Sequence, residues 1–130
     1  MLYLSVDQVL KLHADQTAAY GGATGLRDRG SLEAAVTRPA VTFGGEDLYP
    51  DIPTKSAALM HLLVLNHPFV DGNKRVGAQA AIVFAAANGW DCLASEDELV
   101  EITVAVAEGS VAVEALTIWF RQRLRVVDPD

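Results

Sequence analysis

Within nine consecutive residues, His67-Pro68-Phe69-Val70-Asp71-Gly72-Asn73-Lys74-Arg75, the chain gathers a proton-transfer group, a carboxylate, a glycine turn and two cations between two apolar segments. Pro68 disfavours helical backbone at His67, so a preceding helix ends there. The apolar run from Val76 opens another, with Asp71 or Asn73 placed to cap its first amides. Gly72 permits positive φ and a close approach of backbone to a ligand. Free amides at a helix start, the positive end of the helix dipole, and the Lys74 and Arg75 side chains converge on one place, so an anion belongs there. His67, at the entrance of the loop, is placed to act as a general base, and Asp71 to hold a hard cation such as Mg²⁺. Asn73 fixes the loop or meets phosphate through its amide, Arg75 neutralises phosphate charge, and Phe69 anchors the loop in the core. Plainer roles stand beside these: Asp71 as an N-cap alone, Arg75 in a surface ion pair. The inventory is what phosphoryl or nucleotidyl transfer asks for.

These nine residues resemble the signature of the Fic/Doc (Fido) superfamily, and Lys74 resembles the Doc branch, the death-on-curing toxins of bacterial toxin–antitoxin pairs. Tyr20-Gly21-Gly22, the Gly25-to-Pro39 stretch with Leu32-Glu33, Tyr49-Pro50 and Asn88-Gly89 sit where Doc-like chains carry similar residues, so the resemblance covers most of the chain. It implies an all-α, compact six-helix bundle over residues 1–130 as a single domain, with an irregular flap before the central helix pair. It implies ATP and Mg²⁺, His67 as the catalytic base toward a hydroxyl of an acceptor protein, Gly72, Asn73, Lys74 and Arg75 on the nucleotide phosphates, and Asp71 on the metal. Fic proteins that transfer AMP usually carry Gly where this chain has Lys74, and a second Arg where it has Ala78. Both departures match the Doc branch, in which the nucleotide lies reversed and presents its γ-phosphate. By the same resemblance the acceptor is translation elongation factor Tu, the outcome is arrest of translation, and the partner is an antitoxin docking as a helix in a groove near the site. The internal inhibitory helix of many Fic enzymes, Ser/Thr-x-x-x-Glu-Gly/Asn, has no copy here: Glu108-Gly109 supplies its ending, but position 104 is Val. Two other readings remain: AMP transfer on the same fold, and a non-catalytic helical binding module.

The elements that must carry this loop are legible from periodicity and capping. Ser5 with Gln8 reads as a capping box for a helix through Tyr20, stopped by Gly21-Gly22. Ser31 is read as the cap of a short helix ending before Pro39. Val41 to Pro53, with Gly44-Gly45 and no helical period, reads as an exposed loop or irregular hairpin; in the superfamily this segment is the flap that aligns the target polypeptide. Thr54 caps a helix that is apolar all round and therefore buried, the rod that delivers His67. After the loop a second central helix runs from about Lys74 to Asn88, its alanines allowing close approach. Trp90 to Leu93 is short and extended, Ser95 with Glu98 caps a helix through Ala107, and Ser110 starts the last helix, striped by Val113, Leu116, Phe120 and Leu124. Arg121, Arg123 and Arg125 face that helix's C-terminal dipole, and Val126 to Asp130 reads as a frayed tail. His13, near the apolar face of the first helix, reads as structural. A phosphohydrolase metal site from His61, His67 and Asp71 lacks further ligands at suitable spacing.

Composition sets the bounds. The 130 residues are 51% hydrophobic and 21% charged, enough for one core. A net charge of −7 argues against a nucleic-acid face. Cys92 is the only cysteine, so no internal disulfide forms and a reducing, cytoplasmic compartment fits. No signal peptide is expected from Met1-Leu2-Tyr3-Leu4-Ser5, and the longest uncharged run, Val76 to Trp90 at 15 residues, is too short to span a membrane.

Overall fold

A computed structural model describes residues 1–127. Over these residues the fold is all-α: six helices and two short strand pairs. Helix α1 (Val6–Tyr20) opens on the Ser5/Gln8 capping box and stops at Gly21. Helix α2 (Arg29–Thr37) is capped by Asp28, whose carboxylate accepts from the Ser31 N–H, so Ser31 is the capped residue and not the cap. A 3₁₀ turn, Arg38–Ala40, follows. Strands β1 (Thr42–Phe43) and β2 (Glu46–Asp47) form a hairpin over Gly44-Gly45, whose φ of 61° and 84° are the left-handed values a two-residue turn needs. This is the segment read as a flap.

Helix α3 (Ile52–Asn66) is the hub, packing on α2 and on the three helices that follow it. It begins earlier than Thr54, because Asp51 and Thr54 form a reciprocal capping box and Pro53 sits in the first turn, where its missing N–H costs nothing. Helix α4 (Asn73–Ala87) lies against α3. The two are tightly packed at Gly77, where an added Cβ would stand 2.7 Å from Val64 Cγ2. Helix α5 (Glu96–Ala107) carries the Ser95/Glu98 box. Helix α6 (Val113–Arg123) starts after Ala112, not at Ser110, whose hydroxyl donates to Ala105 O and so closes the end of α5. Leu116 and Phe120 of α6 are fully buried in the same core as Leu59, Leu63 and Phe84.

Two corrections concern the C-terminus. Trp90–Cys92 (β3) is extended because Leu124–Val126 (β4) pairs with it antiparallel, Trp90 opposite Val126 and Cys92 opposite Leu124, so Val126 is in a strand and not a frayed tail. The rest of that tail, 128–130, lies outside the described residues. Arg121 and Arg123 do more than face a helix end: they pair with Asp51 at 2.7 Å and Glu98 at 2.8 Å, carboxylates at the starts of α3 and α5. Arg125 Nη1 does donate to main-chain carbonyls, those of Leu124 and Arg121. Burial pushes the half-buried Cys92 thiol up, away from reactivity. Lys55, which no local pattern marks, is wholly buried in α3 and donates to Pro39 O at 2.8 Å and Asp47 Oδ2 at 3.2 Å, tying β2 of the hairpin to the core.

Candidate active site

The loop from His67 to Gly72 joins the two central helices, and each residue in it has a fixed task. His67 caps α3 with φ 48° and ψ 56°, the left-handed region, and no other described residue apart from glycines has positive φ. That conformation costs a side-chain-bearing residue about 1–2 kcal/mol, and Pro68 removes the helical alternative. Phe69 is 1% exposed and stacks on the His13 ring at 3.9 Å between centroids, nearly parallel. His13 Nε2 also lies 2.7 Å from Asp71 O, its ring pinned between a main-chain carbonyl and an aromatic face.

Asn73 is buried, and its side chain is committed to the loop: Oδ1 accepts from Phe69 N–H at 2.9 Å and Nδ2 donates to Phe69 O at 3.0 Å. An anion is therefore left the main-chain N–H of Asn73, not its amide side chain. The cap of α4 is Gly72, with φ 80°; neither Asp71 nor Asn73 caps the helix with its side chain, Asp71 because its carboxylate turns back to Gly72 N–H at 2.8 Å and Ala23 N–H at 3.3 Å. The first main-chain bond within the helix register runs from Val76 N–H to Gly72 O, so the amides of Asn73, Lys74 and Arg75 point out of the helix start unpaired. A side-chain cap would have occupied one of them; a glycine cap leaves all three for an incoming anion.

Lys74 and Arg75 are exposed beside these amides. The Arg75 guanidinium lies over the Tyr20 ring, 4.4 Å from its centroid, and its main-chain carbonyl accepts from Gln16 Nε2. Neither cation forms an ion pair among the described residues. Helix α1 thus holds the inner side of the loop through His13, Gln16 and Tyr20. The outer side is held by the segment before α2: Val70 N–H donates to Gly25 O, and the Arg27 and Asp28 amides both donate to Pro68 O. Arg27 adds its guanidinium to the carbonyls of Asn66 and His67.

His67, Asp71, Gly72, Lys74 and Arg75 all line one groove of about 680 Å³ between α4 and α5. Its far wall is mixed: Ala78 and Ile82 of α4 and Leu99, Val100 and Val104 of α5 make an apolar stretch, with Gln79, Glu96 and Thr103 beside it. An imidazole, the start of α4 with its two cations, and a carboxylate thus share one open face. Asp71 keeps a lone pair on each oxygen, and a single carboxylate together with phosphate oxygens is the donor set that suits Mg²⁺. His61 meets Val111 O instead of joining His67, and no three His, Cys, Asp or Glu side chains gather as a metal site among the described residues. The features that sequence reasoning missed are Gln16 and Arg27, polar residues in helix and loop whose partners are backbone atoms 39 to 59 residues away.

Residues 3–85 match the model of the Fic/DOC family. The chain is 47% identical over 79 residues to "Toxin Doc" of Mycolicibacterium smegmatis, an overlap of 61% of either chain. It is 30% identical over 122 residues to "Protein kinase doc" of Escherichia phage P1, covering 94% of this chain and 95% of the phage protein.

Proposed function

Because the chain belongs to the Fic/DOC family, we propose that it is a Doc-like toxin that transfers the γ-phosphate of ATP to a hydroxyl of a bacterial protein. The observation that carries the reading is the joint presence, in one groove, of His67 and three unpaired amides flanked by two cations that have no acidic partner among the described residues. The polyphosphate lies on the amides of Asn73, Lys74 and Arg75, with the Lys74 and Arg75 side chains on its oxygens. His67 accepts the proton of the acceptor hydroxyl as that oxygen bonds to the γ-phosphorus. The bond from γ-phosphorus to the bridging oxygen breaks, and ADP leaves with the electron pair. A positioned base contributes about 10²–10⁴-fold to such a step. Asp71 would hold Mg²⁺ with the phosphates, and the bound ion supplies neutralisation of their charge.

Lys74 supports γ- over α-transfer, because a long cation fills the space that glycine leaves open for phosphates settling deeper on the loop. The acceptor in this reading is translation elongation factor Tu, met in the cytoplasm. The apolar stretch of the groove wall suits the apolar face of a helix, and a helix of a cognate antitoxin docked there would cover His67.

The test incubates purified protein and its His67→Ala variant with Mg²⁺ and antitoxin-free bacterial lysate, in parallel with γ- and α-labelled ATP. Label on one protein band from the γ-position alone, lost in the variant, is the expected result. Label from the α-position would move the reading to AMP transfer. Toxicity that survives His67→Ala would favour a binding module.

A further inference from the structure

Arg27 stands apart from most of the arginines and lysines of this chain, because among the described residues its guanidinium binds no carboxylate and no ring. Nε donates to His67 O at 2.5 Å and Nη2 to Asn66 O at 2.7 Å. These are the last carbonyls of α3, which the helix itself leaves without amide partners. One edge of a rigid fork takes both, as only a guanidinium can. The main-chain N–H of the same residue donates to Pro68 O at 2.7 Å, so Arg27 grips the corner before and after the peptide bond that follows His67. That corner is the one place among the described residues where a residue with a side chain is held at positive φ.

We propose that Arg27 is a positioning residue for His67: its side chain holds the end of α3 in the left-handed turn and thereby aims the imidazole into the groove. The proposal rests, for its catalytic consequence, on His67 acting as the proton acceptor; the conformational part stands without it. Three forces meet at the corner. Pro68 disfavours the helical backbone, the side chain of His67 disfavours the left-handed one, and the extended region remains open to both. The fork decides among them, because a rotation at His67 that took its carbonyl away from that of Asn66 would part the two acceptors. The main-chain bonds from Arg27, Asp28 and Val70 keep the loop docked when the side chain is cut back, so truncation isolates the guanidinium.

The experiment uses the full chain, isotopically labelled, as wild type, Arg27→Met and Arg27→Lys. The His67 Cα and Cβ shifts and the one-bond Cα–Hα coupling report its φ, and a thermal melt confirms that each variant folds. Arg27→Met is expected to move the His67 signals away from left-handed values. In label transfer it should lower kcat roughly 10- to 100-fold while leaving KM for ATP within about twofold. Arg27→Lys, with one compact ammonium, should recover part of both. Unchanged His67 signals in Arg27→Met would overturn the proposal, and so would moved signals with unchanged kcat. If wild-type protein transfers no label from any nucleotide, the proposed reaction fails by itself, and the His67 signals still decide whether Arg27 sets the turn.

Discussion

Phe69 shows how one apolar residue can govern polar chemistry. Fully buried, it brings its own N–H and C=O to the Asn73 side chain and its ring to His13, and so fixes the loop from the inside without facing the groove. His13 is its counterpart in α1. Replacing it with Ala removes a stacked pair, worth about 0.5–1.5 kcal/mol beyond area burial, and leaves the part-buried Asp71 carbonyl without its 2.7 Å partner, about 1–3 kcal/mol. A loss of about 2–3 kcal/mol in urea denaturation is therefore expected. Transfer activity should also fall, because Asp71 and Gly72 follow the contact. A His13→Ala protein with wild-type stability would show that the loop is held from the α2 side alone.

At the scale of elements, α3 and α4, the helices that the loop joins, leave no room for a side chain at Gly77: a methyl there would meet Val64 Cγ2 at 2.7 Å, with Met60 O at 3.5 Å. Glycine in a helix costs about 1 kcal/mol relative to alanine, so Gly77→Ala would stabilise an exposed helix. Overpacking a buried contact costs about 1–3 kcal/mol, and Val64 is fully buried with nowhere to retreat. The clash should win by about 1 kcal/mol, lowering the melting temperature by a few degrees. A rise on Gly77→Ala would mean that the helices part freely. The alanine content of α4 is legible in the sequence; that Gly77 faces Val64 and Met60 O is not, because it depends on how α3 is rotated about its axis.

Across the molecule, carboxylates hold the starts of α2, α3 and α5. Main-chain and side-chain donation from Ser31 holds the Asp28 carboxyl below the usual carboxylate range, and Ser95 followed by Arg123 does the same for Glu98. At Asp51 burial pushes the other way, but the Thr54 amide, Arg121 and the Thr54 hydroxyl together outweigh it and its carboxyl is also lowered. Groups with depressed folded-state pKa stabilise the fold above their unfolded values, near 4, and that contribution is lost as pH falls through the folded values. Stability should therefore drop as pH falls below about 5, and the drop should be shallower in Asp51→Asn. Urea midpoints measured across that range check both. A flat profile would mean that these carboxylates titrate alike folded and unfolded.

Local chemistry made much of this protein readable in its sequence. Capping boxes at Ser5 and Ser95, glycines at 21, 89 and 109, and the nine residues from His67 to Arg75 mark helix starts, stops and a site, because each is an interaction within a few residues of chain. The misplaced boundaries have the same cause. Ser31 and Thr54 are good caps in isolation but stand three residues inside better ones, Asp28 and Asp51. What only the tertiary structure decided are the contacts whose partners are main-chain atoms far along the chain. These include His13 on Asp71 O, Arg27 on the carbonyls of Asn66 and His67, Lys55 on Pro39 O, and the pairing of Trp90–Cys92 with Leu124–Val126. A backbone carbonyl carries no side-chain identity, so no residue type announces such a partner, and it comes within reach only when the helices pack.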